Sequence, residues 1–182
     1  MKIAVIGGGS TYTPELVSGL SRERGRIDVS DLVLHDIDPE RREIVGGLAQ
    51  RMLDRQGYEG RLEITDDLDR AVDGADFVLI QIRVGGQDAR LSDETVPLAC
   101  GCIGQETTGA GGFAKAMRTV PVVLGIAERA RELAADDASG SEHAFAACHH
   151  AVTAGAENGR DDHQEESQQH GRNAGDGHHR DL

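Results

Sequence analysis

The feature that most constrains the fold is a short apolar segment, Lys2–Ile6, that ends directly in the glycines at positions 7, 8 and 9. A run of this kind predicts a strand that is buried on both faces of a parallel sheet. Pro14 follows soon after and fits the first turn of a helix, where its missing N–H costs nothing. The start of the chain therefore predicts a strand, a tight glycine turn and a helix to about Arg24.

Further apolar segments and helical patterns continue this alternation. Asp38 and Pro39 are typical of a helix N-cap and first turn, and apolar residues recur at helical spacing from there to about Gln56. Three more strands are predicted at residues 32–34, 62–65 and 77–82. Because strands that alternate with helices imply right-handed crossovers, the predicted fold class is α/β, a Rossmann-like doubly wound parallel sheet of about four strands in the spatial order 3-2-1-4.

A long helix is predicted from Gly112, with one apolar stripe made of Phe113, Met117, Val120, Leu124 and Ala127. A sheet of only four strands would leave the outer edge of the fourth strand and one face of this helix uncovered. We therefore expect the chain to be marginally stable, aggregation-prone or a homo-oligomer such as a dimer.

The composition changes near residue 136. In residues 136–182 the only large apolar side chains are Phe145, Val152 and Leu182, and this segment holds seven of the eight histidines. So little apolar surface cannot offset the entropy lost on ordering a chain. We therefore predict a folded domain at 1–135 and a disordered, low-complexity tail at 136–182, whose histidine pairs have no spacing that fixes a metal geometry.

Charge and composition exclude several classes of function. The net charge is −13, which disfavours nucleic acids and anionic membrane surfaces as partners. No stretch approaches the roughly 20 apolar residues needed to cross a bilayer. Three cysteines do not form a disulfide framework, which is typical of a reducing compartment. The sequence thus predicts a soluble, cytoplasmic protein.

The glycine turn is a candidate phosphate-binding site. Gly7, Gly9 and Ser10 lie between the first strand and the first helix, where a Rossmann fold approaches a pyrophosphate closely. A helix N-terminus there offers N–H groups and a positive dipole end. Tyr12 stands where the third glycine of the GxGxxG pattern would be, so a glycine turn that binds nothing is the alternative interpretation.

Asp36 is the candidate for recognising the adenosine ribose. It ends the second predicted strand, where a carboxylate accepts hydrogen bonds from ribose hydroxyls and repels a 2′-phosphate, favouring NAD over NADP. Its removal is then expected to weaken NAD binding and to leave the fold intact. The alternative is an ordinary strand-end or helix-capping acid, with Asp38 competing for the cap.

Two later segments also carry candidate binding residues. Arg83 and Arg90 follow the fourth strand, and either guanidinium fits a phosphate. Arg83 is a candidate for binding the cofactor, whereas Arg90 has Asp93 and Glu94 nearby as alternative partners. Residues 104–112 form a polar glycine-rich loop before the long helix. Such a loop is either functional or a plain connection.

Several motifs in one order resemble those of glycoside hydrolase family 4, over residues 1–135. They are GGGSTYTPEL at 7–16, HDIDP at 35–39, QIRVG at 81–85, GQETTG at 104–109 and GFAKAMRT at 112–119. Within the family, the form of the long helix is most similar to the 6-phospho-β-glucosidases. A dehydrogenase of the malate or lactate type shares the nucleotide fold but does not explain the motifs at 104–119.

The resemblance implies an enzyme that uses NAD and a divalent metal, usually manganese, on 6-phosphoglycosides. It implies oxidation at C3 by NAD, removal of the C2 proton by a tyrosine base and elimination of the aglycone; the family is an exception to two-carboxylate glycoside hydrolysis. By position, the residues implied for NAD are Gly7, Gly9, Ser10 and Asp36. Arg90 would bind substrate, and Glu106 would raise the basicity of the tyrosine.

The resemblance ends near residue 135. The family continues with an Asn-Pro loop, a Cys and a His that bind the metal, and the tyrosine base, and none of these motifs follows here. We therefore expect a shifted or truncated reading frame near 135, which another frame of the encoding DNA would reveal. Two functions stay open: an NAD- and manganese-dependent 6-phospho-β-glucosidase, and an inactive fragment that at most binds NAD.

Overall fold

A computed structural model describes residues 1–136 of the chain, with side chains through residue 133. The described residues form four strands and five helices. In chain order these are β1 (Lys2–Ile6), α1 (Thr13–Arg22), β2 (Asp31–His35), α2 (Pro39–Gln56), β3 (Arg61–Thr65), α3 (Leu68–Val72), β4 (Phe77–Ile80), α4 (Gly86–Ala99) and α5 (Gly109–Asp136).

The strands form one parallel sheet in the order β3-β2-β1-β4. This confirms the predicted Rossmann-like α/β class and the predicted strand order. The chain moves outward from β1 to β3 and then returns to place β4 against the other side of β1. In an open α/β sheet, ligands bind at the carboxyl ends of the strands where the order reverses, here between β1 and β4.

The sheet is covered by helices on both faces, which makes two apolar cores. On one face, Val5 and Leu34 pack with Val17 of α1 and Leu53 of α2. On the other face, Ala4 and Ile6 of β1 pack in a cluster that includes α3 and α5. Because successive residues of β1 point to opposite faces, a strand that is apolar throughout is what this architecture requires.

The helix α5 has two apolar stripes, and the stripe predicted from the sequence is the exposed one. Ile126 and Ala130 are buried against the sheet, with Val123 and Leu133 packed beside them. The predicted stripe faces outward instead, and its large side chains are more than half exposed: Phe113, Met117, Val120 and Leu124. One face of the long helix is therefore uncovered in the part of the chain that the structure describes.

Some predicted boundaries are wrong. The fourth strand ends at Ile80 rather than at residue 82, and left-handed backbone at Gly85 and Gly86 leads into α4. α4 has no apolar pattern from which it could be predicted, because its large apolar residues are exposed and its buried ones are Asp93 and Pro97. α3 was not predicted either, because a helix of five residues is too short to show an apolar pattern. α5 begins at Gly109, three residues before its predicted start at Gly112.

No helix in residues 1–136 is both long enough and apolar enough to cross a membrane. The predicted tail at 136–182, the reading-frame change near 135 and the histidine pairs 149–150 and 178–179 lie outside the described residues, apart from Asp136 at the end of α5.

Candidate functional site

The glycine turn after β1 lies tightly against the neighbouring strands. Gly7 has φ of +90°, and a Cβ placed on it would lie 2.5 Å from the carbonyl oxygen of Gln81. A Cβ on Gly8 would lie 2.8 Å from Cβ of Leu34. Side chains at these two positions would therefore collide with the ends of β4 and β2, so the turn requires glycine for packing as well as for conformation.

The amides of the three glycines are all bonded within the chain. Gly7 and Gly8 donate to the carbonyl oxygen of His35 at 2.9 and 2.7 Å, and Gly9 donates to Oδ2 of Asp36 at 2.8 Å. In contrast, the amide of Thr11 has no acceptor among residues 1–136. An anion at this turn would therefore meet the Thr11 amide and the Ser10 hydroxyl.

Asp36 ties the glycine turn to the start of α2. Its Oδ1 accepts from the amide of Asp38 at 3.0 Å, and its Oδ2 accepts from Gly9. The α2 cap is Asp38, which accepts from the amides of Glu40 and Arg41, so the helix-capping interpretation of Asp36 is wrong. A carboxylate oxygen can accept two hydrogen bonds, so each oxygen of Asp36 retains capacity for a ribose hydroxyl.

Gln81 contacts this turn from the end of a neighbouring strand, and no role was predicted for it from the sequence. It follows β4, and its Nε2 donates to the carbonyl oxygen of Gly7 at 3.1 Å and to Oγ1 of Thr13 at 2.6 Å. Thr13 is fully buried at the start of α1. The side chain of Gln81 thus joins the end of β4 to the glycine turn and the start of α1, which lie 74 and 68 residues earlier in the chain.

A second cluster lies beyond the end of β4, around Glu106. Its carboxylate lies 2.5 Å from Nη1 of Arg83, 3.5 Å from Nη2 of Arg90 and 3.8 Å from Nζ of Lys115. The Glu106 side chain is only 12% exposed. Burial alone would raise the pKa of this carboxyl, but the hydrogen bond from Arg83 and the three positive charges together lower it.

Arg90 has two acidic neighbours. Its Nε donates to Oε1 of Glu94 at 2.8 Å, which together with the charge of Glu106 raises the pKa of Arg90. The alternative pairing with Glu94 is therefore present, and the guanidinium also faces Glu106. The glycine-rich loop is more than a connection, since it carries Glu106 to Arg83 and Arg90.

Asp93 pairs with Arg118 instead of Arg90. The two carboxylate oxygens of Asp93 accept from Nη1 and Nη2 of Arg118 at 3.0 and 2.6 Å, and this hydrogen bonding lowers the pKa of Asp93. Both residues line the same cleft as Glu106. From the sequence, Asp93 was considered only as a partner of Arg90, and no role was predicted for Arg118 or Lys115, although both lie in the motif at 112–119.

The residues predicted to bind are thus placed in two groups. Gly7, Gly9, Ser10 and Asp36 surround the turn after β1, and Arg83, Arg90 and Glu106 form the cluster beyond β4. Among the described side chains, no group of three or more His, Cys, Asp or Glu residues is placed to hold a metal ion. The described residues therefore do not fit a metal site.

The chain is similar to proteins of one family. The sequence profile described as family 4 glycosyl hydrolase matches residues 2–139. The chain is 47% identical over 135 residues to a probable 6-phospho-beta-glucosidase of Bacillus subtilis, and 44% identical over 135 residues to the 6-phospho-beta-glucosidase of Escherichia coli. Each alignment covers 73% of this chain and 30% of the relative, so the chain spans less than a third of the length of these relatives.

Solved structures agree with this similarity. The 6-phospho-beta glucosidase of Thermotoga maritima, solved with NAD and glucose-6-phosphate, superposes with a TM-score of 0.70 at 41% identity, over 74% of this chain and 32% of that one. A 6-phospho-alpha-glucosidase from gut microorganisms, in complex with NAD and Mn²⁺, superposes with a TM-score of 0.71 at 34% identity, over 74% and 31% of the two chains.

Proposed function

Since this chain belongs to the family 4 glycosyl hydrolases, we propose that residues 1–136 bind NAD at the carboxyl edge of the sheet, between β1 and β4. We further propose that the activity to which this part contributes is NAD- and manganese-dependent hydrolysis of 6-phospho-β-glucosides. The β-type is favoured because the β-glucosidases are 44–47% identical to this chain and the α-glucosidases 34–40%.

The observation that carries the NAD proposal is the hydrogen bond between Gly9 and Asp36, which joins the carboxyl ends of β1 and β2 next to the strand-order reversal. This bond holds the Asp36 carboxylate against the glycine turn. Two residues after Gly9, Thr11 is exposed and its amide has no acceptor among residues 1–136. We assign Asp36 to the ribose hydroxyls, and the Thr11 amide and Ser10 to the pyrophosphate, with Gly7 and Gly9 allowing close approach. NAD, when bound, would supply a hydride acceptor for the sugar.

The Glu106 cluster supports an anionic substrate. Three cations, Arg83, Arg90 and Lys115, surround Glu106, with Glu94 as a second acid on Arg90, so the cluster carries an excess of one positive charge. We assign Arg90 to the substrate phosphate, because its guanidinium is 40% exposed and can exchange Glu94 for a ligand. Glu106 stays ionised and holds the cations in place.

A second candidate function is a fragment that binds NAD without hydrolysing a glycoside. It is favoured by one observation, that no metal-binding group lies among the described side chains. The two candidates share the NAD site and differ only in turnover.

The experiment that separates them uses the 182-residue chain in two assays. NADH fluorescence is a clean probe of binding, because the chain has no tryptophan. Saturable enhancement that NAD reverses supports the NAD site, and its absence contradicts the proposal. Release of the chromophore from a chromogenic 6-phospho-β-glucoside, with NAD, manganese and reductant, supports the hydrolase; binding without release supports the fragment.

A further inference from the structure

The side chain of Gln81 connects the end of β4 to the glycine turn and to α1. Its backbone amide continues the sheet by donating to the carbonyl oxygen of Ile6 at 2.9 Å. Its side-chain Nε2 then reaches the carbonyl of Gly7 and the hydroxyl of Thr13. One residue therefore contacts the strand before the turn, the turn itself and the helix after it.

The orientation of this amide follows from its partners. The carbonyl oxygen of Gly7 can only accept hydrogen bonds, so the NH₂ group of Gln81, and not its oxygen, faces the turn. That group has two protons, and the two contacts use both. A glutamate or a methionine at position 81 could not reproduce this pair of bonds.

The Gly7 carbonyl receives a second hydrogen bond from the amide of Ser10 at 3.0 Å. The two donors together fix the plane of the Gly7–Gly8 peptide, and with it the path of the chain through Ser10 and Thr11. Thr13 is fully buried, so its hydroxyl is a rigid anchor for the amide of Gln81.

We propose that Gln81 is a positioning residue for dinucleotide binding: it holds the glycine turn in the conformation that presents the Thr11 amide and the Ser10 hydroxyl to a pyrophosphate. This inference rests on the proposed NAD site and adds to it a residue that does not itself touch the ligand. The pyrophosphate is the group affected, because Gln81 contacts the turn and not the Asp36 carboxylate.

Gln81→Met tests the proposal, since methionine has a similar length and donates no hydrogen bond. The probes are ADP-ribose, which carries the pyrophosphate, and adenosine, which does not. We expect the dissociation constant of ADP-ribose to rise about tenfold, the equivalent of about 1.4 kcal/mol. The dissociation constant of adenosine should stay unchanged.

Two further variants keep the test decisive if Gln81→Met fails to fold. Thr13→Val removes the hydroxyl at constant shape and should weaken ADP-ribose binding, whereas Thr13→Ser keeps the acceptor and should restore it. The matched control is Gln50→Met, an exposed residue of α2 whose side chain donates only to Asp54. It should leave both affinities unchanged.

Two results would overturn the inference. Equal ADP-ribose affinity in Gln81→Met and the unsubstituted chain would show that the amide does not position the turn. An equal loss for ADP-ribose and adenosine, with a lower melting temperature, would show a general structural role. Failure of the NAD site itself is distinguishable, because then the unsubstituted chain would bind no ADP-ribose, and the inference would fall with it.

Discussion

Asp93 on α4 and Arg118 on α5 form a bidentate ion pair. Arg90 lies one helical turn before Asp93, Lys115 lies one helical turn before Arg118, and both face Glu106. Residues three apart lie on the same face of a helix, so the pair fixes the register of α4 against α5. The same register brings Arg90 and Lys115 to one carboxylate. The ion pair is therefore part of how the cluster is built.

The stability of this helix pair should depend on pH through Asp93. Because Arg118 lowers the pKa of Asp93 below its usual value of 3.8, the pair stabilises the fold fully above that value. The stabilisation is lost as the pH falls through the lowered pKa. We expect Asp93→Asn to lower the melting temperature at pH 7 and to reduce the loss of stability below about pH 4. An unchanged acid-unfolding profile would contradict this role.

Removing the charge of Glu106 should destabilise the cluster around it. Glu106→Gln leaves Arg83, Arg90 and Lys115 without their shared partner, in a site where Glu106 is mostly buried. We expect a loss of about 1–3 kcal/mol in the free energy of unfolding, measured by urea denaturation. Glu94→Gln is the matched control, since that more exposed pair should cost only about 0.3–0.5 kcal/mol. Equal losses in the two variants would show that Glu106 is an ordinary surface acid.

Asp36→Asn should reduce the preference for NAD over NADP. The neutral amide keeps one oxygen for the Gly9 amide but no longer repels a 2′-phosphate. We expect NAD binding to weaken by about 1–3 kcal/mol and the ratio of NAD to NADP affinity to fall, both measured by calorimetric titration. If the ratio stays constant, Asp36 does not read the ribose.

Asp36→Ala should also affect the fold, contrary to the expectation from sequence. The carboxylate accepts from two backbone amides, those of Gly9 and Asp38, and alanine leaves both without that acceptor. We therefore expect a clear decrease in the melting temperature. If the variant melts at the same temperature as the unsubstituted chain, the expectation from sequence, that removing Asp36 leaves the fold intact, is correct.

The exposed apolar stripe of α5 should drive self-association. Met117 is 62% exposed and Leu124 55%, and monomeric proteins rarely leave such a stripe uncovered. We expect concentration-dependent dimers or larger species in sedimentation, and a shift toward monomer in Met117→Glu with Leu124→Glu. The control is Ile44→Glu on α2, which replaces an equally exposed apolar residue elsewhere. A monomeric unsubstituted chain would contradict this prediction.

The fold was largely predictable because its signals are local. An apolar run that ends in glycine predicts β1 and the turn, and Asp38 with Pro39 predicts the start of α2. The missed helix, α4, buries Asp93 and Pro97 instead of an apolar stripe. On α5 two apolar stripes compete, and sequence spacing alone does not indicate which of them packs on the sheet.

The site was predictable only in part, because only some of its residues have a local signal in the sequence. The glycine turn and Asp36 each follow directly after an apolar run that predicts a strand, so their positions at the carboxyl edge of the sheet could be predicted from the sequence. The contacts of Gln81 with Gly7 and of Glu106 with Arg83 join residues from separate parts of the fold, 74 and 23 positions apart. Such contacts depend on how the helices pack, and no local pattern encodes them.

The central claim is that NAD binds at the carboxyl edge of the sheet, between β1 and β4, with its ribose at Asp36 after β2. The most direct test is an NMR titration of the ¹⁵N-labelled chain with NAD. Amide shifts should concentrate at Gly9, Ser10, Thr11 and Asp38, with the Thr11 amide among the most affected. The opposite edge of β3, around Glu63, should stay unchanged. Saturation of shifts at β3 or α2 without any at the glycine turn, or no shifts at millimolar NAD, would contradict the account.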